Sequence, residues 1–210
     1  MELEPALRTR AAAVTLIGIV LRSGQAFDIA FAQNNDINLM DSRDRAFIYN
    51  LCLTTLRRLG QIDALISTLL KHPLPNHAQP VTDILRIGAC QILFLNVANH
   101  AAVSTCVELT RKNGHSAHIK LVNAVLRGFT REGHSLVAKQ DEAFLNIPKW
   151  LWDNWFTAYG EAHCRENCRC SHAWRSFGPF ALWRSKRMFN VTKWESPATW
   201  HHKNIYKRPD

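Results

Sequence analysis

The chain has 210 residues, 47% of them apolar, which is enough for one domain with a real core. Its formal charge of +9 calls for an anionic partner, nucleic acid ahead of a membrane surface. The charge is uneven: residues 1–160 carry 16 Lys+Arg against 13 Asp+Glu, whereas residues 161–210 carry 10 against 4. Cys52, Cys90 and Cys106 lie singly in apolar helical patterns and read as small buried hydrophobes of a reducing compartment. The apolar run at 11–21 falls well short of the roughly 18 residues of a membrane span. It follows "MELEP", with two glutamates where a secretory leader wants positive charge. A cytoplasmic protein with no membrane partner is expected.

In chain order, the first helix is predicted from Pro5 to about Ser23, with Leu7, Ala11, Val14, Ile17 and Leu21 at helical spacing and Gly24 as its end. A weaker segment at 25–33 leads into a polar loop, "NNDIN". Asp41 is expected to cap a helix reaching Gly60, with Asp44 in its first turn. "QIDALISTLLKH" makes the next helix, stopped by Pro73 and Pro75.

The stretch 81–95, "VTDILRIGACQILFL", is apolar nearly all round, the mark of a helix in the middle of a bundle, and Gly88 admits a close neighbour. Asn99 is expected to cap "HAAVSTCVELTRK". "HIKLVNAVLRGFTRE" follows, with Ile119, Val122, Val125, Leu126 and Phe129 on one face and Gly133 as its stop. A polar connector is expected over 134–146. "PKWLWDNWFTAYG" (148–160) then forms an aromatic helix. The fold class is all-α, a bundle of seven or eight helices followed by an irregular C-terminal tail.

"DRAFIYNLCLTTLRRLGQIDALI", "ILRIGACQILFLNVANHAAVSTCVEL" and "KLVNAVLRGF", in this order, resemble the NusB-type helical domain. That domain occurs alone as a transcription antitermination factor and as the N-terminal domain of Sun/RsmB-type rRNA cytosine-C5 methyltransferases. "NIPKWLWDNWFTAYGE" is similar to the segment by which those methyltransferases leave the NusB-like domain, which favours the second context. The resemblance covers about residues 5–162. It divides the chain into a NusB-like RNA-binding domain at 1–133, a connector and linking region at 134–162, and an atypical basic tail at 163–210.

The resemblance implies an RNA partner, ribosomal RNA first, together with a ribosomal or transcription-complex protein. It implies S-adenosylmethionine as cofactor of the full-length family, but no cofactor in this chain. The family's reaction uses a cysteine in a Pro-Cys pair and a glycine-rich strand-to-helix turn for the methyl donor. Neither occurs here. Thr105–Cys106 imitates the family's Thr-Cys motif but lies mid-helix, where a packed core cysteine is the expectation. No catalytic residue is assigned, and the chain alone is expected to be inactive. The non-enzymatic alternative is an antitermination factor.

RNA contact would start from Lys and Arg on phosphates. The candidates are Arg8 and Arg10 near the N-terminus, the pair that the resemblance to NusB favours, Arg43 and Arg45 at a helix start, Arg57 and Arg58 at a helix end, and a later group of Lys112, Lys120, Arg127 and Arg131. A net charge of +3 over residues 1–160 predicts weak binding without a partner protein. In the tail, "HCRENCRCSH" offers Cys164, Cys168, Cys170 and His172 as weak zinc candidates, and the single-residue Cys-x-Cys gap is awkward for such a site. From about residue 163 the composition shifts to Trp, Arg, Cys, His and Ser without a hydrophobic period. A frameshift near that codon, severing a longer methyltransferase, is the expectation for this tail.

Overall fold

In the computed structural model, which describes residues 4–70 and 72–173 (without the side chains of Asn76 and 169–173), the chain is all-helical. Helix α1 (Pro5–Gly18) starts on its proline, whose missing N–H costs nothing in a first turn. It continues as a π turn, Ile19–Ser23, and ends where Gly24 takes φ 67°. The short helices α2 (Phe27–Ala32) and α3 (Asn35–Asn38) follow. The second replaces the expected polar loop. The Asn34 side chain accepts a hydrogen bond from the Ile37 amide at 3.1 Å, and Ile37 is fully buried, so a local cap and one core contact fold the segment.

Asp41 caps α4 (Ser42–Arg57) as expected, accepting from the Asp44 amide at 2.8 Å. The helix does not run to Gly60. It breaks at Arg58, and α5 (Leu59–Leu69) begins at once. Gly60 serves another purpose there, for a Cβ at this position would sit 1.7 Å from the backbone oxygen of Leu145. The glycine is needed for close approach and not as a stop.

Helix α6 (Gln79–Leu93) is the centre of the bundle, with Ile84, Leu85, Ile87, Ala89 and Cys90 fully buried. It packs against α1, α4, α5, α7 (Asn99–Lys112) and α8 (Ile119–Gly128). Gly88 brings Leu126 and Cys106 in close: an added Cβ would lie 2.6 Å from a Leu126 methyl. Asn99 is the first residue of α7 and makes no side-chain cap; Ala98 stands at the cap position. Val122, Val125, Leu126 and Phe129 of the predicted face are buried, and Ile119 is half-buried.

Beyond α8 the helix widens into a π turn, Phe129–Gly133, and runs on as α9 (His134–Ala138). Gly133 therefore ends nothing. It is buried against Leu93, whose methyl lies 2.6 Å from where a Cβ would be. The expected polar connector contains two short helices, α9 and α10 (Glu142–Leu145), because Asp141 caps the latter through the Phe144 amide. The last helix, α11 (Lys149–Ala173), bends at Gly160, which takes φ 75° and ψ 171°. Eleven α-helical segments are thus present among the described residues, more than the seven or eight expected, because side-chain caps fold α3 and α10 inside the expected loop and connector and a π turn carries the chain on into α9.

A second, smaller cluster joins Ile147, Leu151 and Trp152 of the aromatic region to Cys164 and Cys168 across the Gly160 bend. The residues just past 162 are therefore helical and packed. The irregular tail remains an expectation for 174–210, outside the described residues. Arg165 fixes the arrangement, donating to both Asp141 oxygens at 2.8 and 3.0 Å and lying over the Trp152 ring. Burial tends to raise the Asp141 carboxyl, but hydrogen bonds from Arg165 and the Phe144 and Ala143 amides outweigh it and hold it below the usual range.

The bundle is pinned by a buried carboxylate. Asp83 of α6 is fully buried and meets Arg22 at 2.5 Å and Arg86 at 2.9 Å; Arg86 also forks onto both oxygens of Asp63 in α5. Replacing Asp83 by Ala should cost about 3 kcal/mol, the low end for a broken buried pair because Arg86 keeps Asp63. A lower urea midpoint at unchanged slope is the expected readout. Gly60→Ala should lower Tm by at least about 2–4 °C, the equivalent of 1 kcal/mol in a chain of this size, as α10 is pushed from α5.

Candidate nucleic-acid interface

The predicted cations separate into two kinds once their partners are known. Arg10 is a structural residue. Its Nε donates to Gln91 Oε1 at 2.9 Å and its guanidinium lies 4.4 Å from the centroid of the Phe47 ring, so it clasps α1 to α4 and α6. Burial lowers its pKa, partly offset by Asp44. Arg58 is also structural: it pairs with Glu142 at 2.8 Å, donates to Gln61 at 2.9 Å and covers Phe94. Both were expected on free RNA-facing surface, and both instead join helices. Charged side chains with long apolar stems do this wherever two elements meet at a half-wet seam. Arg57 is half-buried in the last turn of α4.

The other candidates face solvent. Arg43 and Arg45 are exposed in the first turn of α4, Lys112 is exposed at the end of α7, and Arg8 is half-buried in α1. Lys120, Arg127 and Arg131 are exposed and follow one another at intervals of seven and four residues, one face of α8 and its π turn. None of these seven makes an ion pair among the described residues. By contrast Arg111, which the sequence presents as one more member of the basic run with Lys112, is tied to Glu108 three residues back.

The α8 row borders a groove of about 490 Å³ between α7 and α8. On the α7 side the apolar Val103 and Val107 line it together with Asn99, His100 and Ser104. Asn123, Arg127 and Thr130 close it from the other helix. Of these only Arg127 is among the sequence candidates. The spacing Lys120–Asn123–Arg127 could have pointed to Asn123. His100 and Ser104 could not be found from sequence, because their place opposite α8 depends on how α7 and α8 pack.

The aromatic segment is chiefly a packing element. Leu151 and Trp152 are buried, and Trp150 and Trp155 are half-buried against the second cluster. Phe156 and Tyr159 are exposed. Of the zinc candidates, Cys164 and Cys168 are buried in that cluster. The side chains of Cys170 and His172 lie outside the described residues. Among the described residues no three His, Cys, Asp or Glu side chains gather to hold a metal, and no helix is long and apolar enough to cross a membrane.

The sequence model of the NusB family matches residues 7–131. The chain belongs to the NusB family. Among curated proteins it is similar to ribosomal RNA small subunit methyltransferase B of Shewanella oneidensis, 29% identical over 73% of this chain and 36% of that protein. The enzyme of the same name from Xanthomonas campestris pv. campestris is 35% identical over 64% of this chain and 30% of its own. That of Cronobacter sakazakii is 27% identical over 75% and 37%. The chain thus spans about a third of the length of these relatives. The NusB match contains all but the first two residues of α1, then α2 through α8, the charge network at Asp83 and the α7–α8 groove.

Cys106 stands inside the NusB match as a core residue. It is fully buried, and burial pushes its thiol up to about 12, against smaller opposing effects from Arg10 and Gln91. Cys90 is likewise pushed up to about 12 by burial, and Cys52 is raised further for the same reason. A nucleophilic cysteine needs the reverse, an accessible thiol with a lowered pKa. Cys52, Cys90 and Cys106 should therefore resist Ellman's reagent at pH 8 and react only in guanidinium, as peptide-level mass spectrometry of alkylated protein would show.

Proposed function

We propose that this chain binds RNA, ribosomal RNA first, as the NusB-type portion of a cytoplasmic small-subunit rRNA cytosine-C5 methyltransferase. The observation that carries the reading is the row Lys120, Arg127 and Arg131, three exposed cations with no acidic partner among the described residues, beside a groove. Unneutralised cations in a row suit a phosphate backbone, whose condensed counterions they release. Arg43 and Arg45 add a second exposed basic point. The small-subunit rRNA methyltransferases among the relatives support the substrate class, and the preference for cytosine C5 rests on the sequence resemblance.

Residues 1–133 carry the RNA contacts in this reading, and 134–162 lead away from them. The chain's residues do not fit S-adenosylmethionine: there is no strand among the described residues, no glycine-rich strand-to-helix turn and no Pro-Cys pair. Methyl transfer is therefore assigned to residues outside this chain, and binding and positioning of RNA to those within it. An antitermination role would use the same cations with a ribosomal or transcription-complex protein. The aromatic segment 148–160 favours the methyltransferase context, since its sequence resembles the stretch by which those enzymes leave the NusB-like domain.

Fluorescence anisotropy with a labelled small-subunit rRNA fragment tests the reading. The full chain should bind with Kd of about 1–100 µM at physiological salt, and more tightly as salt falls. Lys120→Gln and Arg127→Gln should each flatten the slope of log K against log salt by about 0.7. Arg10→Gln and Arg58→Gln should chiefly lower Tm. Absence of salt-dependent binding would refute the proposal.

A further inference from the structure

We infer that the α7–α8 groove seats one unstacked nucleotide of single-stranded RNA, with Arg127 on its phosphate and Asn123 and His100 on the base edge. This rests on the RNA-binding reading and adds to it which form of RNA is taken and where. The volume of about 490 Å³ lies within the range of small-ligand sites, about 300–1,000 Å³.

Hydrogen-bond accounting selects the ligand. The Thr130 hydroxyl donates to the Arg127 carbonyl at 2.8 Å and the Ser104 hydroxyl to the Ala101 carbonyl at 3.3 Å, so both are engaged by backbone. The Arg127 guanidinium, the Asn99 and Asn123 amides and the His100 imidazole make no side-chain hydrogen bond among the described residues. These groups offer a fixed positive charge, paired amide donors and acceptors, and an imidazole, alongside the apolar lining of Val103 and Val107. A bare phosphate needs no amide and no apolar lining. An apolar peptide has no use for the arginine. A nucleotide presents an anion, a donor–acceptor edge and a flat apolar face together, and in RNA those parts are accessible when the base has left its stack.

Two further features agree. Lys120 and Arg131 flank Arg127 on the same face, placed for the neighbouring phosphates of a single strand. The helix also departs from α geometry at this point: Thr130 lies in the π turn, a distortion that recurs at functional sites.

The test compares a labelled single-stranded RNA of mixed sequence with its duplex, using the full chain and three variants. Asn123→Ala and Ser104→Trp change no charge; the first removes the edge contact and the second blocks the groove from an exposed position. The inference expects the single strand to bind more tightly than the duplex, and Asn123→Ala to weaken the single strand about three- to tenfold while leaving the duplex unchanged. Ser104→Trp should do the same, with helical circular dichroism preserved. Arg127→Gln should weaken both RNAs. If RNA binds and responds to Arg127→Gln, but neither neutral variant affects the single strand, the groove inference fails and RNA binding stands. Equal affinity for single strand and duplex, or equally strong competition by polyglutamate, overturns it likewise. Should no RNA bind in low salt, the inference falls together with the reading beneath it.

Discussion

A carboxylate removed from water must find compensation, and Asp83 imposes that requirement on the whole bundle. It is fully buried on the most buried helix, so its charge fixes where Arg22 and Arg86 must be. Arg22 lies in the π turn that ends α1, and Arg86 forks onto Asp63 of α5. One charge thereby sets the relation of three helices that sequence separates by up to 61 residues. Apolar packing around α6 supplies the bulk of the burial, and it would tolerate some sliding of one helix over another. The ion network does not, because bidentate geometry is lost within a fraction of an ångström.

The second cluster attaches by a different chemistry. The Gln61 amide N–H donates to Asn146 Oδ1 at 3.0 Å, the Asn146 amide donates to Gln61 Oε1 at 2.8 Å, and the Gln140 amide reaches the Gln61 carbonyl at 3.0 Å. Gly60 lets the Leu145 carbonyl come in beside them, and Arg58 adds its pair with Glu142. The contact between the bundle and residues 140–146 is thus largely polar and directional, whereas the bundle interior is apolar. The two parts share an edge without sharing a core.

Long periodic elements were legible in the sequence because burial writes a period into it. The nearly all-apolar stretch of α6 announces a central helix, and the proline of α1 and the aspartate cap of α4 mark their starts at single residues. Glycines misled where they served packing: Gly60 and Gly133 look like stops, yet each leaves room for a neighbour far away in the chain. Short helices were missed because a cap and one buried residue suffice to hold them, as at Asn34 and Ile37. Among the candidate cations, the exposed row on α8 was legible from type and spacing. Arg10 and Arg58 looked the same, and only their distant partners, Gln91 and Glu142, reveal that they serve the fold.

Hydrogen bonds with fixed geometry do more than hold a joint closed, since they also set its angle. The Gln61–Asn146 exchange lies two residues before Pro148, and α11 starts one residue after that proline. The heading of α11 is therefore inherited from α5 and not chosen by α11 itself. The groove between α7 and α8 is referred to the same frame, because α5 and α8 pack against each other and both against α6. Whatever α11 carries thus keeps a constant bearing on that groove. The joint works as a surveyor's mark: it converts a position on the α7–α8 side of the bundle into a direction in space for the residues that follow.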